Sequence, residues 1–213
     1  TLRAKVKAQA TGAVEGMGMK SDEVIERFRK TGALLEGHFV LSSGLHSTKY
    51  LQCALVLQHP PEAEAFGRAV AEHFSEQEVE TVVAPAIGGI VIGWEVARAM
   101  GVRSIWTERE EGRMTLRRGF TVRPGEHVLV VEDVVTTGGS TRETIDALRD
   151  AGALVVAAAS IIDRSGGRAD VGVPRVALAT LDVPVHAPDA CPLCAEGIPA
   201  DKPGSRKAVN RES

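Results

Sequence analysis

Residues 128 to 141, VLVVEDVVTTGGST, constrain the fold more than any other stretch of the chain. Val128, Leu129, Val130 and Val131 form a short apolar run without alternation, as expected of a strand covered on both faces in a parallel sheet. Glu132 and Asp133 follow at the carboxyl end of that strand. Open α/β sheets bind ligands just beyond such ends, so two acids there are placed to accept hydrogen bonds from hydroxyl groups. Thr136, Thr137, Gly138, Gly139, Ser140 and Thr141 lead into a helix. Successive backbone N–H groups in such a turn, with the helix dipole behind them, make a nest for a phosphate. The plainer reading is an ordinary strand-loop-helix connection with fortuitous acids. Paired acids at a buried strand end are unfavourable unless something binds them, which weighs against it. No G-x-x-x-x-G-K-[ST] occurs, and no G-x-G-x-x-G follows a strand, so an NTPase and a dinucleotide dehydrogenase both fit poorly.

Size and charge narrow the class. At 213 residues and 44% hydrophobic, the chain can bury one sizeable core, and nothing in its composition asks for a second domain. The 25 basic and 28 acidic residues sum to −3, which leaves no broad cationic field for nucleic acid or anionic lipid. Small-molecule partners are expected. No apolar run approaches a membrane span and no leader-like segment opens the sequence, so a cytoplasmic protein is expected. Three cysteines do not describe a disulfide framework and read as reduced thiols.

Residues 1–20 lack periodicity and read as a flexible tail, as do residues 200–213. Ser21 is a plausible N-cap for a short helix with Val24, Ile25 and Phe28 on its apolar stripe, ending near Gly32. Two strands, 37–41 and 49–54, flank the turn-rich Ser42, Ser43 and Gly44 and suggest a small hood over about 21–60. A helix opens at Pro60 and Pro61 and runs to Phe74. A strand over 81–84 passes through Pro85 to Gly89 into a helix over 90–100, which Gly101 ends. Residues 102–106 form the next strand, 108–113 a charged surface loop, and 114–122 a returning hairpin strand. After the 128–131 strand come a helix over 141–150 and an apolar strand over 154–162. Strands and helices alternating through short loops argue a single α/β domain, 21–199, with a parallel sheet covered on both sides.

The 128–141 order of strand, two acids, two aliphatics, threonine and glycines resembles the loop by which phosphoribosyltransferases bind 5-phosphoribosyl-1-pyrophosphate (PRPP). Three further segments narrow the resemblance to the orotate phosphoribosyltransferases, over most of residues 21–199. TGALLEGHFVLSSGLHSTKYLQ resembles that family's amino-terminal hood, with Phe39, Leu41, Ser43 and Gly44 on its pattern; a simple hairpin explains the Ser-Gly turn as well. Asp163-Arg164 stands where the family places an Asp-Arg pair. Ala84 to Gly89 stands where it places a pyrophosphate loop, and a tight turn explains that segment equally.

The resemblance implies a type I phosphoribosyltransferase fold and transfer of phosphoribose from PRPP to orotate, giving orotidine 5′-monophosphate and pyrophosphate in pyrimidine synthesis. It implies Glu132 and Asp133 on the ribose hydroxyls, Val135, Thr136, Thr137, Gly138, Gly139 and Ser140 around the 5-phosphate, Val134 within the same PRPP loop, and Gly88 at the pyrophosphate. Thr136 and Arg164 would meet orotate, where a guanidinium matches a carboxylate as a planar fork. Arg109 would serve as the catalytic loop's cation. Mg²⁺ would be held through PRPP rather than by a protein cage, and a homodimer follows from the same resemblance.

The departures are specific. The family's hood and pyrophosphate loop carry lysines where Ser42 and Gly88 stand here, and its mobile loop carries an Arg-Lys pair and a Lys-x-His-Gly motif. Residues 107–114, TEREEGRM, hold no lysine or histidine. These losses keep two rivals open: transfer to a purine or to uracil, which Arg164 disfavours, and a non-catalytic PRPP sensor, which the missing lysines favour. The six histidines form no triad-like pattern and read as surface or satisfied groups. Cys191-Pro-Leu-Cys194 has no second C-x-x-C, so ordinary thiols near a turn are preferred over a zinc site with His186 or a redox pair.

Overall fold

The helix over Ser21–Lys30 (α1) turns Val24 and Phe28, four residues apart, into the core. A computed structural model describes residues 18–41 and 44–203. Ser42, Ser43 and the greater part of both expected tails, 1–17 and 204–213, lie outside the described residues. Ser21 is not the cap of α1. Lys20 occupies that position with no side-chain bond, and Asp22 and Glu23 complement the dipole from the first turn instead.

The main sheet has six strands: β3 (Thr81–Pro85), β4 (Arg103–Glu110), β5 (Arg113–Leu116), β6 (His127–Val135), β7 (Leu154–Asp163) and β8 (Arg175–Thr180). Their spatial order is β5-β4-β3-β6-β7-β8, all parallel except the β4–β5 pair. The unbroken apolar run of β6 follows from this placement. Leu129 and Val131 face a core shared with Val24, Phe66 and Ile92, while Val128 and Val130 face Ile145 and Leu148 on the other side. Successive side chains of a strand point to opposite faces, so a sheet covered twice needs apolar residues at every position.

Helices α1, α3 (Pro60–Glu72) and α4 (Gly89–Met100) cover the first face, and α5 (Gly139–Asp150) covers the second. α3 and α4 pack closely because residue 67 is glycine. A Cβ there would sit 2.6 Å from Glu95 Cβ and 2.7 Å from its carbonyl carbon.

The expected loop over 108–113 is instead a hairpin. Glu111 and Gly112 both adopt positive φ, 48° and 84°, the pattern of a two-residue turn whose twist matches the flanking strands. Glu110 then pairs with Arg113 and Arg109 with Met114, burying Met114. The returning strand stops at Leu116 rather than continuing to 122. β8 was not expected: its register pairs Ala177 with Ser160 and Ala179 with Ile162, extending the sheet beyond β7.

A smaller sheet forms the hood. β1 (Leu34–Val40) and β2 (His46–Leu51) are antiparallel, with Leu34 opposite Leu51 and Val40 opposite His46. Residues 53 and 54, expected to end a strand, instead open the short helix α2 (Cys53–Leu57) leading to α3. A distant segment completes the hood. β9 (Val185–His186) pairs with β2, and Asp201 lies along β1, accepting from Val40 N–H at 2.7 Å and donating to His38 O at 2.8 Å. Between them run a 3₁₀ turn, Pro188–Ala190, and α6 (Pro192–Ala195). Cys191 and Cys194 are consequently not isolated thiols near a turn. They lie against His38 and His46, and His186 is not part of that group.

Candidate active site

The site gathers at the carboxyl ends of β3, β6 and β7, where the connections leave the sheet. Glu132 and Asp133 are the sixth and seventh residues of β6, ahead of the end at Val135. Both are half-buried. Burial pushes Glu132 up to about 7, and the neighbouring Asp133 adds to the rise, while a hydrogen bond from Thr141 Oγ1 opposes it. Burial likewise raises Asp133, against the Val134 N–H donated to its Oδ1 at 2.8 Å and a bond from the Cys53 thiol. Two desolvated carboxylates side by side, with few protein donors, have the capacity to accept hydrogen bonds from hydroxyl groups.

The β3–α4 connection closes on this pair. Ala86 N–H donates to Thr107 O at 2.8 Å, and the Ala86–Ile87 peptide is cis. A Cβ on residue 88 would lie 2.8 Å from Asp133 Oδ2, so only glycine lets the loop backbone pass so near the carboxylate. On the other side, Gly138 turns the chain into α5 with φ 76°. A Cβ there would meet Val171 Cγ1 at 2.8 Å. Gly138 has no side chain to cap α5, and Gly139 N–H reaches only Thr137 Oγ1 at 3.4 Å. The exposed Thr136 and Thr137 precede these donors. The turn therefore offers N–H groups at a positive helix end, suited to an anion.

Arg164 leaves the end of β7, its N–H bonded to Val135 O at 2.8 Å. Its Nε is buried and has no hydrogen-bond partner among the described residues. Burial lowers the guanidinium's pKa, partly offset by Cys53 and Tyr50. Those two residues belong to α2 and β2, so Arg164 faces the hood. Asp163 fixes the loop that carries it. Burial works against the Asp163 charge, but Ser165 N–H at 2.7 Å, Ser165 Oγ at 2.6 Å, Gly167 N–H at 2.8 Å and Arg175 Nη2 at 2.9 Å outweigh burial and hold it below its ordinary value. The same segment reaches the amino end of α5 through Arg142, which donates to Asp170 O.

Arg109 stands apart from this cluster. It pairs with Glu143 at 2.7 Å, on the outer part of α5. Glu108 is engaged by Arg117 and Arg118, and Trp106 Nε1 donates to it at 3.1 Å. The structure thus brings together Glu132, Asp133, Gly88, the 134–140 turn and Arg164, and leaves Arg109 on the hairpin. Cys53, whose thiol meets Asp133, carried no sequence signal, because the contact joins the hood to the core across 80 positions of chain. Thr141 was legible only as one hydroxyl among several.

A doubly covered parallel sheet with adjacent acids, an open helix amino end and a glycine turn at its strand ends is the ligand-binding layout of open α/β proteins, and the family match places this chain among the phosphoribosyltransferases. The model of the phosphoribosyl transferase domain matches residues 54–176. Orotate phosphoribosyltransferase of Pelotomaculum thermopropionicum is 55% identical over 89% of this chain and 100% of its own length. That of Thermotoga maritima is 56% identical over 85% and 97%. Among solved structures, orotate phosphoribosyltransferase from Aeropyrum pernix superposes with a TM-score of 0.62 at 28% identity, covering 74% of this chain and 93% of that one. The Mycobacterium tuberculosis enzyme in complex with PRPP gives 0.61 at 26%, over 75% and 94%. The chain belongs to the orotate phosphoribosyltransferase family.

Proposed function

We propose that this protein transfers the phosphoribosyl group of PRPP to orotate, releasing pyrophosphate and giving orotidine 5′-monophosphate. One observation carries the choice of base: the buried Nε of Arg164, without a hydrogen-bond partner among the described residues, facing the hood at the end of β7. A desolvated guanidinium calls for an anionic planar partner, and the orotate carboxylate supplies one where uracil, adenine and hypoxanthine do not.

In this reading Glu132 and Asp133 accept from the ribose 2- and 3-hydroxyls and tolerate the positive charge that grows on the ribose carbon. Backbone N–H groups from Val135 to Ser140 receive the 5-phosphate, with Thr136 and Thr137 adding hydroxyl donors. Gly88 leaves room for pyrophosphate beside Asp133. Orotate is already anionic, so no side chain need act as a strong base. The half-buried carboxylate oxygens of Glu132 and Asp133 would suit a hard cation that arrives with PRPP. Mg²⁺ held that way would neutralise the leaving pyrophosphate. Arg109 exchanges Glu143 for the pyrophosphate as the β4–β5 hairpin closes, and closure excludes water from PRPP.

A homodimer is part of the reading, supported by the exposed Ile87, Val91 and Trp94 beside the pyrophosphate turn. No helix among the described residues is long and apolar enough to cross a membrane, and the three cysteines are free, which supports a cytoplasmic setting. The test is to mix purified protein with Mg²⁺, PRPP and orotate and follow the loss of orotate absorbance, with uracil, hypoxanthine and adenine assayed by product. Turnover of orotate alone is expected. PRPP binding without turnover of any base would replace this reading with the sensor, which the lysine-free hairpin favours.

A further inference from the structure

His38 and His46, on facing strands of the hood, meet Cys191 and Cys194, which flank the first turn of α6. One ligand atom from each of the four lies within 4.8 Å of all the others. Cys194 Sγ is 3.3 Å from His46 Nδ1 and 3.8 Å from His38 Nε2, and Cys191 Sγ is 3.5 Å from His38 Nε2. A tetrahedral zinc with its usual bonds to sulfur and nitrogen sets ligand atoms about 3.3–3.8 Å apart. The three sulfur–nitrogen distances fall in that range. The nitrogen–nitrogen distance, His38 Nε2 to His46 Nδ1, is 2.7 Å and must open by roughly half an ångström to admit the ion.

The surroundings orient the ligands as a metal requires. His38 Nδ1 lies 2.7 Å from Ile198 O. As an N–H donor to that carbonyl it fixes the tautomer that leaves the Nε2 lone pair facing the thiols, the outer-shell bond typical of a metal-bound imidazole. His46 then coordinates through Nδ1 and carries its proton on Nε2. His38, His46 and Cys191 are buried, and Cys194 at the rim leaves a route of entry. With four protein ligands no position remains open for substrate, so the role is structural.

We propose that His38, His46, Cys191 and Cys194 bind one structural zinc ion, which ties the hood hairpin to the 185–201 segment. The set combines two soft thiolates with two imidazoles, a mixture that selects Zn²⁺ over the oxygen-seeking Mg²⁺ of the PRPP site. Binding releases the thiol protons and joins two stretches about 150 positions apart in sequence.

The test uses the full chain without a histidine tag, purified under reducing conditions, with metals measured by plasma mass spectrometry. One zinc per chain is expected, released stoichiometrically when the thiols are titrated with an organomercurial. Cobalt(II) replacing it should give sulfur-to-metal charge-transfer bands and the intense visible bands of a tetrahedral ion. Cys191→Ser with Cys194→Ser should lose the metal and melt at lower temperature, while His186→Ala, a neighbour outside the set, keeps it. Zinc-free protein that also gives no saturable cobalt spectrum overturns the proposal, and so does iron in zinc's place. Because the readout is metal content, the result stands whether or not the chain turns over orotate.

Discussion

Replacing Arg164 by methionine should move stability and activity in opposite directions. In the free protein the Arg164 Nε is buried without a partner among the described residues, and an unsatisfied buried donor costs about 1–3 kcal/mol. Arg164 is only half-buried, so the lower end applies. Methionine keeps an unbranched apolar stem and removes the donor, for a gain of about 1 kcal/mol, or roughly 2–4 °C in melting temperature for a chain of this length. Toward orotate the sign reverses. Deleting one partner of a desolvated, hydrogen-bonded charge pair costs about 2–5 kcal/mol, and partial exposure again selects the lower part. The fall in kcat/KM for orotate should be about 30- to 300-fold. The assays are a ligand-free thermal melt and the orotate absorbance assay at saturating PRPP. A melting temperature lowered by more than about 4 °C would mean that the guanidinium holds the fold together. A loss of less than about fivefold in kcat/KM would remove the carboxylate contact.

Gly88→Ala pushes a methyl against the Asp133 carboxylate at 2.8 Å, so kcat/KM for PRPP should fall by about 10²-fold with little change in melting temperature. Full PRPP efficiency in that variant would clear the loop of any part in the site. Gly67→Ala tests packing instead: the Glu95 backbone 2.7 Å away cannot swing aside, and overpacking of about 1–3 kcal/mol should exceed the helix-propensity gain of about 1 kcal/mol. A raised melting temperature would show that α3 and α4 move apart freely. Glu132 gives a pH signature. Burial raises it from 4.5 to about 7, so the folded chain keeps a proton that the unfolded chain has lost. Its contribution to stability is therefore full below 4.5 and disappears as the pH climbs to about 7. Ribose hydroxyls favour the ionised form, so Mg²⁺–PRPP binding near neutral pH should release protons, seen as a buffer-dependent heat in calorimetry. Equal heats in all buffers, or the same release from Glu132→Gln, would contradict it.

The parts of the fold that the sequence carried openly are those fixed by local pattern. The doubly buried run of β6, the prolines opening α3 and the glycines after α4 and α5 each have one physical meaning, and each element lies where that meaning put it. The placement of Glu132, Asp133 and the glycine turn was legible for the same reason, since it follows from where the strand ends. The β4–β5 hairpin was hidden because its turn is Glu-Gly: a glutamate at φ 48° is held by the pairing of Arg109 with Met114, which no local propensity announces. β8 is a short edge strand specified by its register with β7. The meeting of Cys53 with Asp133 and of Cys191 and Cys194 with His38 and His46 depends on tertiary closure between distant stretches. Spacing along the chain holds no trace of such contacts, which is why His186, the histidine nearest in sequence, was the wrong partner.

The hood draws strands from both ends of the described chain, and this sets an order on assembly during synthesis. β1 and β2 emerge early, yet the edges they offer to β9 and Asp201 stay unfilled until residue 201 is made. A chain stopped between β8 and β9 therefore holds every strand of the main sheet in its sequence but lacks the segments that pair with both hood strands, so the hood is the last part of the fold able to close.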